Sequence, residues 1–196
     1  MDKGKKSDKN RVQWITQTAL FIALLVSFQA VTRPLVQLPL GQLVTGSCVN
    51  FLLISSCILV GLPSALAVAS VSPVFAYLII GVPAFPLLIP FIIAGNMILV
   101  TAVGIIAGKS FVTLTVRSYI RMCAAMVAGA ALKFLVLWVG VVHIALALIP
   151  DIKPAQVDAM SFMFSWPQLV TAAIGSTLAI AILPRLVKIL KTAERD

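Results

Sequence analysis

The sequence predicts an all-α integral membrane protein, a bundle of six transmembrane helices, and three observations lead to this fold class. Apolar residues make up 61% of the 196-residue chain, whereas charged residues make up only 11%. The mean hydropathy is +1.10. Residues 34–108 contain no Asp, Glu, Lys or Arg. A soluble domain needs a polar surface that this composition does not supply, whereas about 20 apolar residues cross a bilayer, so this stretch alone holds roughly three spans.

The first half of the chain is predicted to form a basic tail followed by three spans, at 1–11, 12–32, 45–60 and 62–80. We expect the tail to be disordered. Arg33-Pro34 is expected to end the first helix, because proline disfavours helical backbone in the residue before it. Residues 33–44 are then a loop, and Gly61 and Pro63 separate the next two spans. Those two spans are short, and a re-entrant pair is the alternative.

The second half is predicted to form three more spans and a polar tail, at 87–107, 118–142, 162–183 and 191–196, so that 12–190 is a single transmembrane domain. Gly81 and Pro86 mark the turn before the fourth span, and Pro184 closes the sixth, because both residue types interrupt helices. The segments 108–117 and 143–161 are expected to be loops.

The distribution of basic residues predicts the orientation of the bundle. Six spans place both chain ends on one side of the membrane. The two ends and the segment 108–121 hold all of the 15 Lys and Arg residues except Arg33, Lys133 and Lys153. Positively charged segments stay in the cytoplasm, so we expect both termini there. Because the basic ends adjoin apolar helices, we assign them to membrane topology and expect no nucleic-acid partner.

The acidic residues argue against several kinds of catalytic site. All six lie in the tails or in the segment 143–161: Asp2, Asp8, Asp151, Asp158, Glu194 and Asp196. No carboxylate therefore falls in a predicted span, which argues against an acid–base pair, a proton relay or a carboxylate-bound metal. The three cysteines form no Cys-x-x-Cys pair. We expect neither enzymatic activity nor a metal or other cofactor.

Lys133 is the strongest candidate for a ligand contact, because it is the only charged residue deep in a predicted span. An intramembrane lysine without a nearby acid needs a counter-ion or water. It could meet a carboxylate or phosphate of a ligand, or it could extend its ammonium to the interface. Asn50 and Asn96 also lie inside spans, where amides bridge helices or face a ligand.

Three further candidates lie near the predicted outer ends of the helices. His143 is the only histidine and follows the fifth span, while Trp166 and Gln168 lie near the start of the sixth. They could line the mouth of a ligand pocket. Alternatively, they are polar and aromatic residues of the membrane interface, where indole rings prefer to lie.

Small residues lie along one face of the first helix. Thr16, Ala19, Ala23 and Ser27 follow one another at spacings of three and four. Small side chains allow another helix to approach closely, which is how membrane helices associate in lipid. The pattern predicts either docking of a partner protein at Ala19, Ala23 and Ser27, or packing within this bundle.

The six spans, the basic ends and the segment Ala19-Leu20-Phe21-Ile22-Ala23 together resemble the S components of energy-coupling factor transporters. The first helix of that family carries an Ala-x-x-x-Ala motif, which Ala19 and Ala23 match. The resemblance covers about residues 12–190. It implies a bacterial plasma-membrane protein that binds a vitamin or related micronutrient at its outer face. It also implies a membrane scaffold (T) subunit and two cytoplasmic ATPases as partners, and a lid formed by residues 33–44.

The resemblance leaves the ligand and one competing function open. If Lys133 faces a pocket without acids, the ligand is anionic; pantothenate is the best candidate, with folate or another carboxylate-bearing vitamin next, and cobalamin remains an alternative. The main competing function is a non-transporting structural protein of a cell-envelope or cell-shape complex. A membrane enzyme is disfavoured because the spans lack carboxylates.

Overall fold

The computed structural model describes residues 2–36, 41–107 and 115–193. Within these ranges the chain is helical and has no β-strand, which confirms the all-α prediction. Six segments of the described chain are long and apolar enough to cross a membrane, as predicted. The α-helices are α1 (Asp2–Val36), α2 (Gly41–Leu59), α3 (Leu62–Ile80), α4 (Ile89–Ile106), α5 (Val116–Leu137), α6 (Pro154–Met163) and α7 (Trp166–Ala193).

The first helix is longer than predicted at both ends. It begins at Asp2, so residues expected to form a disordered tail are helical. It also continues through Pro34 to Val36, and the prediction that Arg33-Pro34 ends it is wrong by a few residues. Proline has no N–H to donate and its ring crowds the carbonyl four residues earlier, and the helix ends two residues after Pro34. The centre of the predicted 33–44 lid, residues 37–40, lies outside the described residues, as do residues 108–114 of the next predicted loop.

The predicted loop at 143–161 is largely helical. After α5 the chain continues through a π-helical segment, Trp138–Ala145, and a short 3₁₀ turn, Leu146–Leu148, which lengthens the fifth span. The helix α6 then precedes the sixth span. The sequence carried a signal for α6, since Pro154 lies at its first position, where proline is favoured. In the structure the Lys153 backbone N–H donates to Gln156 Oε1 at 3.2 Å, which caps the start of this helix.

The six spans form a closed ring in the order α1, α3, α4, α5, α7 and α2, with each helix packed against its neighbours. Of these, α2 lies innermost, since it also packs against α3 and α4. Polar contacts show that α1 and α3 run parallel: the Thr18 hydroxyl donates to Ser64 Oγ at 2.9 Å, and Gln29 Nε2 donates to the Ser72 carbonyl at 3.2 Å.

The interior divides into two halves of different chemistry. The half that holds both chain ends, here the terminal half, contains the main apolar core, which includes Leu25, Leu53, Ile54, Val68, Val100, Val103, Met122 and Leu183. The opposite half, here the cavity half, contains a cavity lined by both polar and apolar side chains. A smaller apolar cluster around Leu88, Leu137 and Phe164 packs at its far end.

Candidate ligand-binding site

A cavity of about 120 Å³ lies in the cavity half and is lined by residues of all six spans. This volume is several times what one water molecule needs, so the site can hold a small polar group together with water. Four of the six residues that the sequence predicts for ligand binding line it: Asn50, Asn96, Lys133 and Gln168. The other polar residues of its lining are Gln29, Gln42, Thr45 and Ser72.

Lys133 lies inside the bundle with only 4% of its surface exposed. Its ammonium donates a hydrogen bond to Asn50 Oδ1, with the two atoms 2.6 Å apart. The side chain therefore does not extend to the membrane interface, which was the alternative interpretation. The acidic side chains that the structure describes, Asp8, Asp151 and Asp158, do not line the cavity. An ammonium has three donors, and the amide of Asn50 accepts one of them without neutralising the charge.

Asn50 connects Lys133 to the start of α7. Its Nδ2 donates to Thr171 Oγ1 at 3.3 Å, and the Thr171 hydroxyl donates to the Gln168 carbonyl at 3.0 Å. Because an ammonium only donates, the Oδ1 of Asn50 must face Lys133, which fixes the orientation of the amide. Thr171 belongs to this series of hydrogen bonds, and the sequence analysis did not identify it.

The close approach of α2 and α7 depends on Gly175. A Cβ atom at this position would lie 2.6 Å from the Ser47 carbonyl oxygen and 2.8 Å from Asn50 Cβ. No other residue fits without moving the backbone of one helix away from the other. The glycine therefore holds Asn50 against α7, within reach of Thr171.

Gln29 and Ser72 form a second polar group of the cavity that the sequence analysis missed. Gln29 is 2% exposed, and its Nε2 donates to the Ser72 carbonyl at 3.2 Å and lies 3.5 Å from Ser72 Oγ. Its Oε1 is buried and has no hydrogen-bond partner among the residues that the structure describes, and the same is true of Asn96 Oδ1. The signal was present, since a glutamine within an apolar span is as costly as an asparagine unless it has a partner.

Two predicted binding residues lie elsewhere. His143 is exposed, and its ring contacts Trp138 edge-on with the ring centres 4.4 Å apart. Trp166 is 52% exposed and packs edge-on against Phe162. Neither lines the cavity. Gln168 does line it, and its Nε2 donates to the Met163 carbonyl at 3.1 Å, which connects the end of α6 to the start of α7.

The small residues of the first helix face outward. Ala19, Ala23 and Ser27 are all exposed, and so is Thr16. The neighbouring residues on the inner face, Thr18, Leu25 and Gln29, are buried against other helices. These small residues therefore do not pack against other helices of the bundle, which was the alternative interpretation.

Together these contacts place a cluster of buried polar side chains at one cavity. It contains one ammonium, two buried carbonyl-type acceptors without partners, and no carboxylate among its described lining residues. Nowhere in the described chain do three His, Cys, Asp or Glu side chains come close enough to hold a metal ion. No family model, curated protein or solved structure matches the chain.

Proposed function

We propose that this protein is the substrate-binding membrane subunit of a transporter, and that it captures a small anionic molecule in the cavity. The observation that carries the proposal is the buried ammonium of Lys133, which lines the cavity without a carboxylate among the described lining residues. A charged group inside a membrane protein needs a counter-charge, and such groups mark ligand or ion pathways. A carboxylate from a ligand provides that counter-charge.

The direction of capture follows from the distribution of basic residues. The positive bias of the two ends favours a cytoplasmic location for the terminal half. The cavity half then faces the outside of the cell, where the protein meets its ligand. With the resemblance to S components, this supports uptake of a vitamin or similar micronutrient across a bacterial plasma membrane, with pantothenate as the best candidate.

Release to the cytoplasm requires a source of energy that this chain does not contain in recognisable form. The resemblance implies that a scaffold subunit and two cytoplasmic ATPases supply it. The exposed stripe of Ala19, Ala23 and Ser27 supports a helix-docking surface on α1, because small side chains pointing into lipid permit close helix contact.

The direct test is to purify the protein from membranes and identify any small molecule that remains bound. We expect an anionic organic compound, and we expect pantothenate to stabilise the purified protein more than panthenol, its neutral alcohol analogue. A protein that carries no ligand and gains no stability from a panel of carboxylate-bearing vitamins would favour the alternative of a structural protein in a cell-envelope complex.

A further inference from the structure

We propose that the groove between α5 and α7, on the outside of the bundle, binds one acyl chain of an anionic glycerophospholipid, whose head group lies against basic residues of these two helices. The groove has a volume of about 400 Å³. It shares no lining residue with the cavity of Lys133, so this site goes beyond the proposed function and does not depend on it. Three features support the proposal: the open surface of the groove, its length, and the charges beyond one of its ends.

The groove is open because small side chains line much of it. Ala131 lines it from α5, and Ala173 and Thr177 line it from α7. All three are exposed, so a hydrocarbon chain of the bilayer reaches them without any movement of the helices. The Thr177 hydroxyl donates to the Ala173 carbonyl at 2.8 Å, so it needs no partner from a bound molecule. Aliphatic residues such as Val127 and Leu169 complete a surface that suits an acyl chain.

The length of the groove favours an acyl chain over a partner helix. Its lining extends over residues 123–131 of α5 and 169–180 of α7. At 1.5 Å per residue these segments measure about 12 Å and about 16 Å. The hydrocarbon core of a bilayer is about 30 Å thick, so the groove covers roughly the depth of one leaflet. A transmembrane helix would need a matching surface across the whole core.

One end of the groove lies in the terminal half. Cys123 and Ile180 line this end, and their chain neighbours Met122 and Ala179 belong to the main apolar core. The other end lies at the level of the cavity half. A lipid of the leaflet on the terminal side would therefore extend its chain along the groove and hold its head group beyond Cys123.

Both helices carry basic residues beyond this end. Arg117 precedes the groove residue Ala131 by fourteen residues, which is about four helical turns. Lys188 follows the groove residue Thr177 by eleven residues, which is about three turns. Each therefore lies on the groove side of its helix, and both are exposed. Neither α5 nor α7 contains an aspartate or a glutamate. Because each basic residue near a membrane surface favours anionic lipid by roughly fivefold, these charges select a head group with net negative charge.

The test measures how well lipids protect Cys123, whose exposed thiol lies at the terminal end of the groove. The purified protein reacts with N-ethylmaleimide in detergent micelles that contain dioleoyl-phosphatidylglycerol, the same amount of dioleoyl-phosphatidylcholine, or no added lipid. Peptide mass spectrometry follows each cysteine. We expect phosphatidylglycerol to slow alkylation of Cys123 at least about threefold more than phosphatidylcholine, because only the former carries net negative charge. Cys48 does not line the groove and is the internal control.

Each outcome supports the site or overturns it. Stronger protection by phosphatidylglycerol, confined to Cys123, supports it. Equal protection by the two lipids would disprove the selection of an anionic head group. No protection by either lipid would disprove the lipid site and leave the groove available to a partner helix.

Charge variants test the head-group assignment. Arg117→Gln and Lys188→Gln should each lower the preference for phosphatidylglycerol at least about twofold. Lys153→Gln, at an exposed lysine outside both groove helices, is the control and should keep the preference. The preference is a ratio measured within each variant, so partial loss of folded protein does not change it. A full preference in both charge variants would overturn the assignment.

A filling variant tests the position of the chain. Ala173→Leu adds bulk inside the groove and should remove the protection of Cys123 by either lipid. Ala181→Leu is the matched control, since Ala181 is an exposed alanine of the same helix that does not line the groove. Full protection in Ala173→Leu would show that the lipid does not lie in this groove.

Discussion

The same six helices build two interiors that differ in how they treat polar groups. In the terminal half the buried side chains are mostly apolar, and its buried hydroxyls are paired: Thr18 donates to Ser64, and Ser56 donates to the Leu53 carbonyl at 2.8 Å. In the cavity half, Gln29 Oε1 and Asn96 Oδ1 have no partner among the described residues, and Lys133 has no carboxylate among the described residues that line the cavity. The proposed ligand site is therefore the half in which buried amide groups are not fully satisfied within the described protein.

Two buried hydroxyls, those of Ser47 and Ser176, also have no partner among the described residues. A hydroxyl rotates and can use a carbonyl of the preceding turn, so its cost is small. An amide oxygen has no such freedom once its nitrogen is engaged. The amides of the cavity are therefore the more informative groups.

Replacing Lys133 should produce the largest change in ligand affinity and tests the difference between the two halves most directly. We expect Lys133→Met to weaken binding of pantothenate at least about thirtyfold, because the ligand carboxylate would lose its buried counter-charge. The thermal unfolding temperature should not fall, since removing a buried charge relieves a desolvation cost. Calorimetry and a thermal unfolding assay measure the two effects. Lys153→Met, at an exposed lysine, is the control. Unchanged affinity in Lys133→Met would show that the Lys133 side chain does not bind the ligand.

The outward face of α1 crosses both halves, and bulk added there should separate capture from transport. We expect Ala19→Leu or Ala23→Leu to abolish uptake by cells, because the added bulk would block close approach of a partner helix. Ligand binding by the purified protein should be unchanged, because both residues are exposed and do not line the cavity. Ala181→Leu, at an exposed alanine of α7, is the matched control. Normal uptake in both α1 variants would place the docking surface elsewhere.

A methyl group at Gly175 should test whether the α2–α7 contact holds the cavity in shape. Gly175→Ala places a Cβ within 3 Å of backbone atoms of α2, which should lower the free energy of unfolding by about 1–3 kcal/mol and weaken ligand binding through Asn50. Gly104→Ala, in the terminal half, meets only side chains at 3.3 Å and should cost less. Denaturant titration measures the free energy of unfolding of both variants. Equal losses would show that the backbone contact at Gly175 matters no more for stability than the side-chain contact at Gly104.

The smallest effects come from a matched pair of threonines, one in each half. Thr171→Val leaves Asn50 Nδ2 unpaired and should weaken ligand binding about two- to tenfold. Thr18→Val removes a comparable hydrogen bond to Ser64 and should lower stability without changing affinity. Measuring both quantities on both variants sharpens the comparison. A loss of affinity in Thr18→Val would mean that the two halves are not independent.

Hydropathy and helix breakers predicted most of the fold because the bilayer dictates the length of each span. The third span matches the predicted 62–80, while α6 was missed because its ten residues are too few for a span and were assigned to a loop. In the site, residue type and depth identified Lys133, Asn50 and Asn96. Depth does not fix which side of a helix a residue occupies, so the same reasoning also selected His143, which is exposed.

The omission of Gln29 has a related physical cause. Helices that are apolar on every side show no preferred face in the sequence, so the inward direction of α1 emerges only from its contacts with α3. The outward stripe of small residues was visible in the sequence, but whether it faced lipid or a neighbouring helix was not. Tertiary packing decides both questions.

The hydrogen bond from Lys133 to Asn50 ties α5 to α2 across the hollow interior, since these two helices are not neighbours in the ring. An arriving carboxylate would compete with the Asn50 amide for this ammonium. As the tie weakens, the strain would pass through Asn50 and Thr171 to α7, so that occupancy alters the spacing of helices on both sides of the bundle. The residue that binds the carboxylate would thus also couple occupancy of the cavity to the packing of the helices.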